Sequence, residues 1–127
     1  MMLRAAPDTL DLAAVHEQFF TLGYARLGVW ADESTLLALR TRLDDIQSGR
    51  RDHTPFFFQK DAAEGRYDRL TYGKGWEGPS PDYRKIEKLE RDDLFAAWLR
   101  NPLFERVARS FISGPITIIP PTAFSPA

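Results

Sequence analysis

The sequence predicts a mixed α+β fold that is mainly helical and has a few short strands. In residues 11–22, 34–49 and 83–113, apolar residues recur three or four positions apart, which is the spacing of a helix with one buried face. Residues 24–29 and 116–119 are apolar or alternate with polar residues, which is typical of strands. The strands are too short and too few for an all-β fold, so helices are expected to form most of the molecule.

Length and composition indicate one domain, residues 1–127, or part of one. The chain is 43% hydrophobic and 28% charged, which is ordinary for a globular protein. Its formal net charge of −1 gives no attraction to nucleic acid or to an anionic membrane, so neither is an expected partner. The absence of cysteine excludes disulfides, thiolate metal sites and cysteine nucleophiles. Because there is no signal-like N-terminus and no apolar run of bilayer length, a cytoplasmic location is expected.

Residues 11–49 are predicted to form a helix, a short strand and a second helix. Asp11 is placed to cap the first helix, and Gly23 is placed to end it in a left-handed conformation. Asp32 or Ser34 then caps the second helix, which Gly49 ends. These signals predict one compact unit with the strand at 24–29 between its two helices.

Residues 50–82 are predicted to be a long, ordered loop. The segment is rich in glycine and proline but also carries six large aromatic residues, which a flexible linker would not contain. A short strand is predicted at 56–59. Because loops of this length in compact domains are often functional, three of its residues are candidates for substrate binding: Phe57, Gln59 and Trp76.

Residues 83–119 are predicted to be helices followed by a terminal strand. Ile86 and Leu89 would share one helix face, Glu87 and Arg91 would pair, and Asp92 would cap the next turn. Asn101 and Pro102 have the sequence of a helix start, with Gly114 after its end. The predicted core residues of these helices are Leu94, Trp98, Leu103, Phe104, Val107 and Phe111.

The strand predicted at 116–119 would have an unpaired edge. Such an edge invites pairing with another chain, so a homo-oligomer through this strand is expected, or else pairing back onto residues 24–29. Pro120 and Pro121 would limit the length of either ladder, because proline donates no hydrogen bond to a sheet.

The charged run from Arg84 to Asp93 has two interpretations. Taken alone, it is a solvated helix face. Alternatively, Arg84 or Lys85 points inward to meet a substrate carboxylate, with Glu87 positioning it. These three residues join the substrate-binding candidates.

Metal and nucleophile chemistry find no support in the sequence. His16 and His53 are the only histidines, and no His-x-Asp motif is present, whereas a mononuclear iron site usually needs two His and a carboxylate. No serine lies in a Gly-x-Ser-x-Gly elbow. We therefore predict no catalytic residue and no metal ligand within this chain.

The order of the motifs resembles the phytanoyl-CoA dioxygenase family. That family has a Lys-Ile-Glu segment, an acidic pair before a Phe, and a proline-led helix ending at a glycine, which are here residues 85–87, 92–95 and 102–114. The resemblance extends over roughly residues 15–116. Its looser parts are Phe19-Phe20, Gly23-Tyr24 and Leu27 at the start, the helix from Ser34 to Gly49, and residues 56–61.

The resemblance implies an Fe(II)- and 2-oxoglutarate-dependent oxygenase that hydroxylates a small organic or acyl substrate. The implied fold is a double-stranded β-helix, a jelly-roll of the cupin type, of which this chain would be the mainly helical N-terminal portion. The family's His-x-Asp motif, its second His and its 2-oxoglutarate-binding Arg all follow the position at which this sequence ends. The chain is therefore expected to need no cofactor alone, to be inactive by itself, and to be a truncation, a natural fragment or a frame-shifted product.

Two further hypotheses stand beside the oxygenase. In the second hypothesis, the chain is a non-catalytic module that is derived from the same fold and binds a small molecule or a protein. A metal-independent enzyme is the third hypothesis, and no motif favours it.

Overall fold

The structure is a computed structural model, and it describes residues 10–61, 66 and 75–117, together with the backbone of 122–124. It divides into two compact units. We call Met1–Leu37 with Ala97–Ile118 the helical unit, and Ala38–Ala96 with Ile119–Ala127 the sheet unit. The described residues form helices and an antiparallel sheet, so the mixed α+β prediction is confirmed.

Helix α1 spans Leu12–Leu22 in the helical unit and begins and ends where the sequence predicts. The Asp11 carboxylate accepts a hydrogen bond from the backbone N–H of Ala14 at 3.1 Å, which satisfies one of the unpaired donors of the first turn. At the other end Gly23 has a φ of 80° and donates its N–H to the carbonyl of Phe19. A left-handed φ at this position is a common way to end a helix, and it favours glycine because glycine has no Cβ.

Helix α4 spans Pro102–Phe111 and packs against α1. The Asn101 side chain caps it by accepting from the N–H of Leu103 at 3.1 Å, and Pro102 occupies the first turn. Leu103 is buried. Phe19 of α1 contacts Phe111 of α4 with ring centroids 5.1 Å apart. The predicted cap, start and Leu103 burial are therefore confirmed.

The strand predicted at residues 24–29 does not form. Gly28 has a φ of 78°, which breaks the extended conformation that a strand requires. The N–H of Arg26 is bonded to the side-chain oxygen of Gln18 at 2.5 Å. The backbone polar group of Arg26 is thus satisfied locally rather than by a sheet partner.

The strand predicted at 116–119 is also wrong where it can be assessed. Residues 116 and 117 have no regular structure, and 118–119 lie outside the described residues. A strand, β3, occupies Thr122–Phe124 instead.

Helix α2 spans Glu33–Gln47, and its last turns lie in the sheet unit. Asp32 is its cap, accepting from the N–H of Thr35 at 2.8 Å. Gly49, with a φ of 77°, follows its end. Ile46 in the last turn is fully buried. The prediction of this helix and its glycine terminator is therefore confirmed, with Asp32 rather than Ser34 as the cap.

The sheet has three antiparallel strands in the order β1-β2-β3, with β1 at Phe57–Lys60 and β2 at Tyr83–Glu87. The helix predicted from residue 83 is therefore wrong, while the short strand predicted at 56–59 is confirmed within one residue. One face of the sheet packs into the buried cluster of the unit: Ile46, Phe56, Phe58, Tyr83, Ile86 and Leu89.

A β-bulge explains why β2 resembles a helix in the sequence. Gln59 pairs with Lys85, but the next residue of β1, Lys60, pairs with Tyr83, so Arg84 is the extra residue of a bulge. The extra residue shifts the in–out alternation by one. Tyr83 and Ile86 are consequently both buried at a spacing of three, which is the spacing of a helix face.

After β2, a short 3-10 turn at Leu89–Arg91 leads into helix α3, Asp93–Leu99. The Asp92 carboxylate accepts from the N–H groups of Leu94 and Phe95 at 2.9 and 3.1 Å, as its predicted capping role requires. Arg42 of α2 donates to Asp92 at 2.6 Å and to Asp93 at 2.7 Å. This arginine lowers the pKa of the Asp93 carboxyl. The pKa of Arg42 is raised, because these hydrogen bonds outweigh its desolvation.

The core lies elsewhere than predicted. Five of the predicted core residues are only partly buried: Leu94, Trp98, Phe104, Val107 and Phe111. The buried cluster instead includes Phe56 and Phe58, which belong to the short strand predicted within the long 50–82 segment. That segment therefore contributes to the core of the sheet unit.

Candidate functional site

The sheet brings four of the six predicted substrate-binding residues onto one face. Phe57 pairs with Glu87 and Gln59 pairs with Lys85 across β1 and β2. Their neighbours Phe58 and Ile86 point into the core. Because side chains alternate along a strand, the four residues share the opposite face. We call this the outer sheet face: Phe57, Gln59, Lys85 and Glu87.

Hydrogen-bond donors and one carboxylate lie together on the outer sheet face. Lys85 and Glu87, two residues apart on β2, form an ion pair, and both side chains are about one third exposed. Gln59 is directly opposite Lys85, and its amide nitrogen is shielded from solvent without a hydrogen-bond partner among the described residues. A shielded donor left unpaired costs free energy, and an oxygen of a bound ligand would remove that cost.

Phe57 gives the face an apolar contact surface. Its side chain is 54% exposed, which makes it the one large hydrophobic residue exposed in the described part of the sheet unit. The guanidinium carbon of Arg91 lies 5.9 Å from the ring centroid, within the range of a cation–π interaction. The exposed ring beside polar groups gives the outer sheet face both an apolar contact and hydrogen-bonding groups.

The other two predicted residues are placed differently. Arg84 is the extra residue of the bulge. Trp76 packs against the buried cluster and stacks on His53, with centroids 3.7 Å apart and ring planes at 10°. Trp76 therefore belongs to the core side of the sheet, and the structure does not bring it to the outer sheet face.

The loop that carries Trp76 is held by Tyr83, a residue that the sequence did not single out. The Tyr83 hydroxyl donates to the carbonyl of Gly78 and accepts from the N–H of Glu77, each at 2.6 Å. Burial raises the pKa of this hydroxyl. Glycine is also favoured at position 49, because its φ is 77° and a Cβ there would lie 3.3 Å from the Trp76 ring, closer than an ordinary contact.

Arg91 is the second residue that the sequence did not indicate as part of the site. Helical spacing predicted that it would pair with Glu87, but β2 is a strand and Glu87 pairs with Lys85. Arg91 instead donates to the carbonyl of Pro55 at 2.8 Å. Its position beside Phe57 follows from strand pairing, which no local pattern specifies.

The helical unit contains a Ser–His contact that does not activate a nucleophile. His16 Nε2 lies 2.9 Å from the hydroxyl of Ser110, which donates its own proton to the carbonyl of Val107 at 2.6 Å. The imidazole must therefore donate to the serine oxygen, whereas a general base would accept its proton. His16 also stacks on Phe111 with centroids 4.1 Å apart. These contacts give it a packing role.

The described residues do not fit the iron centre that the resemblance implies. His16 lies in the helical unit and His53 in the sheet unit. Within the described part of the chain, no three His, Asp or Glu side chains cluster as metal ligands would, whereas the facial triad needs two His and one carboxylate.

Comparison with protein-family models, with curated proteins and with solved structures finds no match to this chain. The described helices include none long and apolar enough to cross a membrane. The resemblance to the family therefore depends on the sequence motifs alone.

Proposed function

We propose that this chain is part of an Fe(II)- and 2-oxoglutarate-dependent oxygenase of the phytanoyl-CoA dioxygenase type, built on a double-stranded β-helix. The whole enzyme would hydroxylate a small organic or acyl substrate. In this proposal the chain contributes a ligand-contacting surface rather than the iron centre. The observation that carries it is the outer sheet face, because Lys85 and Glu87 belong to the Lys-Ile-Glu segment on which the family resemblance depends.

The chemistry of this face suits a carboxylate. The Lys85 ammonium and the Gln59 amide nitrogen come from directly paired residues, whose Cβ atoms in such a pair are roughly 5 Å apart. A ligand carboxylate would accept a charge-assisted hydrogen bond from the Lys85 ammonium. It would accept a second one from the Gln59 amide nitrogen after rotation of that side chain exposes the nitrogen. Before the ligand binds, the Glu87 carboxylate would hold the Lys85 side chain in place, and the ligand carboxylate would then take the place of Glu87. Phe57 would contact the ligand's carbon chain.

Titration with 2-oxoglutarate, used here as a small dicarboxylate probe of the outer sheet face and not as the cofactor held by the family's Arg, tests the proposal when it is followed by ¹H–¹⁵N correlation spectra. We expect saturable shifts concentrated at the four residues of the outer sheet face. Lys85→Gln should weaken binding about tenfold, which corresponds to the loss of one charge-assisted hydrogen bond. Lys88→Gln is the matched control, because Lys88 lies just beyond the end of β2.

Two outcomes would contradict the proposal. One is the absence of saturable shifts at ligand concentrations up to about 10 mM, far above a millimolar dissociation constant. The other is equal weakening by the Lys85 and Lys88 variants, which would indicate a general charge effect.

We also expect the isolated chain to bind no Fe(II) tightly. The reason is its ligand set, since the chain has two histidines, each stacked on an aromatic ring, and no His-x-Asp motif. Anaerobic isothermal titration calorimetry measures this. A stoichiometric site tighter than about 1 µM that is lost in the His16→Ala, His53→Ala double variant would contradict this expectation. It would mean that the two histidines of this chain bind iron themselves.

A non-catalytic binding module is the second candidate. It is favoured by the buried cluster of the sheet unit, which includes residues of both β1 and β2. These buried residues hold in place the two strands that carry the outer sheet face. Under this hypothesis the same face would bind a ligand other than 2-oxoglutarate, or a protein. A flat 2-oxoglutarate titration together with saturable shifts at the same face from a ligand that has no carboxylate would favour the module over the oxygenase.

A further inference from the structure

Arg91 connects the outer sheet face to the core of the sheet unit. It ends the 3-10 turn at Leu89–Arg91, in which its backbone N–H donates to the carbonyl of Lys88 at 3.0 Å. Leu89, the first residue of that turn, is 2% exposed and belongs to the buried cluster. The Arg91 side chain therefore starts from a backbone position that the core holds in place.

From this position Arg91 reaches the beginning of the neighbouring strand. Because β1 and β2 are antiparallel, the start of β1 lies beside the end of β2, as the pairing of Phe57 with Glu87 requires. One guanidinium nitrogen of Arg91 donates to the carbonyl of Pro55 at 2.8 Å. The guanidinium carbon lies 5.9 Å from the centroid of the Phe57 ring. A single side chain thus holds both the backbone before β1 and the exposed ring on it.

We propose that Arg91 is a positioning residue for the outer sheet face. It would keep the Phe57 ring where a ligand contacts it, without touching the ligand. The inference rests on the proposed function for the identity of the ligand, but the placing of Phe57 is independent of any ligand. A planar guanidinium can donate to a carbonyl and lie against an aromatic ring at the same time. A lysine ammonium is a compact point charge, so it can donate to the carbonyl but stacks less well on the ring.

The test compares Arg91→Met, Arg91→Lys and Arg106→Met. Arg106 is the matched control, because it is also an exposed arginine that donates to a backbone carbonyl, that of Leu10. The first readout is the set of Phe57 ring resonances and ring contacts in nuclear Overhauser spectra without ligand. The second is the affinity for 2-oxoglutarate, followed through the backbone amides of the outer sheet face.

We expect Arg91→Met to shift the Phe57 ring resonances and to weaken 2-oxoglutarate binding about three- to tenfold, the combined scale of an exposed cation–π contact and a hydrogen bond. Arg91→Lys should restore part of both effects. Arg106→Met should change neither.

Unchanged Phe57 resonances in Arg91→Met would overturn the inference, whatever happens to ligand affinity. Equal loss of affinity in Arg106→Met would also overturn it, because the effect would then be one of net charge. If the unaltered chain binds no 2-oxoglutarate, the proposed function fails by itself. The Phe57 ring resonances by themselves then decide whether Arg91 positions the ring.

Discussion

The two units of this chain bury their large side chains to very different extents. The sheet unit has six nearly buried hydrophobic residues in one cluster, with Ile46 at 0% and Tyr83 and Ile86 at 1% exposure. In the helical unit the described buried hydrophobic residues are Val15, Ala31 and Leu103. That unit instead exposes eight large hydrophobic residues: Phe19, Phe20, Leu22, Tyr24, Val29, Leu36, Leu37 and Ile112.

The difference follows from how each unit uses its aromatic rings. In the sheet unit Phe58 and Tyr83 stand on paired strands with ring centroids 4.9 Å apart, and Ile46 is buried in the same cluster. In the helical unit Phe19, Phe20 and Phe111 contact one another at centroid distances of 5.1 to 6.1 Å, but Phe20 remains 76% exposed. Ring contacts alone therefore do not make a core, because burial also needs a second layer above the rings.

The largest effect is expected from Ile86→Ala in the sheet unit. Removing a fully buried isoleucine side chain costs about 2–5 kcal/mol, through lost burial and the cavity left behind. Phe20→Ala in the helical unit removes more atoms but should change the free energy of unfolding by less than about 1 kcal/mol, because its ring is mostly exposed. Urea denaturation of both variants measures the contrast. Equal destabilisation would mean that the two units do not differ as their burial indicates.

Arg42→Met should produce the next largest effect. The Asp92 side chain is 3% exposed, and Arg42 is its nearest cation at 2.6 Å. Losing that partner leaves a buried carboxylate, a change that typically costs several kcal/mol. Here we expect about 2–3 kcal/mol, because the helix N–H groups still bond Asp92 and Arg51 lies 3.7 Å away.

Arg109→Met in the helical unit is the control for that ion pair. Arg109 pairs with Glu105 at 2.7 Å, but both side chains are more than half exposed, so the loss should stay below about 0.5 kcal/mol. Thermal unfolding of the two variants under identical salt measures the difference. A larger loss from Arg109→Met than from Arg42→Met would contradict the assignment of Asp92 to a buried site.

Tyr83→Phe tests how the Trp76 loop is held in the sheet unit. The change removes the hydroxyl that bonds Glu77 and Gly78 and should cost about 1–2 kcal/mol. Tyr24→Phe in the helical unit should be nearly neutral, because Tyr24 is 55% exposed. Fluorescence-detected unfolding gives both values, and a neutral Tyr83→Phe would show that the loop does not depend on this hydroxyl.

The same residue gives the sheet unit an alkaline pH dependence. Burial raises the pKa of Tyr83 above its ordinary value near 10. The unfolded chain therefore loses this proton first, so the contribution to stability is complete below about pH 10 and is lost as the pH rises through the folded pKa. Tyr83→Phe should flatten the fall in stability above about pH 10. If the variant leaves the slope of stability against pH unchanged, the pKa of Tyr83 must be the same in the folded and unfolded chains.

Local signals in the sequence predict the helix ends of the helical unit well, although the strand predicted at 24–29 in the same unit does not form. Asp11, Gly23 and Asn101 each lie within a few residues of the backbone groups that they satisfy, so their roles can be read from short patterns. Burial in that unit was predicted poorly. Helix periodicity identifies an apolar face, but it does not say whether anything covers that face.

The sheet and the site depend on pairing between distant residues, which explains what sequence patterns missed. The bulge at Arg84 gives β2 a helical spacing, so the strand was predicted as a helix. Phe57, Gln59, Lys85 and Glu87 were predicted as candidates, but their sharing of one face follows from the register of β1 and β2. Arg91 carries no local signal, because its contacts with Pro55 and Phe57 arise only after that pairing forms.

The last comparison concerns two left-handed residues, one in each unit. Gly23 ends α1 with a φ of 80°, and a Cβ there would meet nothing within 4 Å. Gly23→Ala therefore measures backbone strain alone and should cost about 1–2 kcal/mol. Lys88, between β2 and the 3-10 turn, already has a φ of 69°, so Lys88→Gly should relieve that strain.

The gain from Lys88→Gly should be only a few tenths of a kcal/mol, because the added freedom of glycine in the unfolded chain offsets most of the relief. Gly114→Ala is the control, since Gly114 has no left-handed φ and no atom near its would-be Cβ; it should be neutral or slightly stabilising. Differential scanning calorimetry of the three variants gives the comparison. If Lys88→Gly destabilises the chain as much as Gly23→Ala does, the lysine side chain must contribute contacts that exceed the backbone strain. The turn carrying Arg91 would then be held by Lys88 as well as by Leu89.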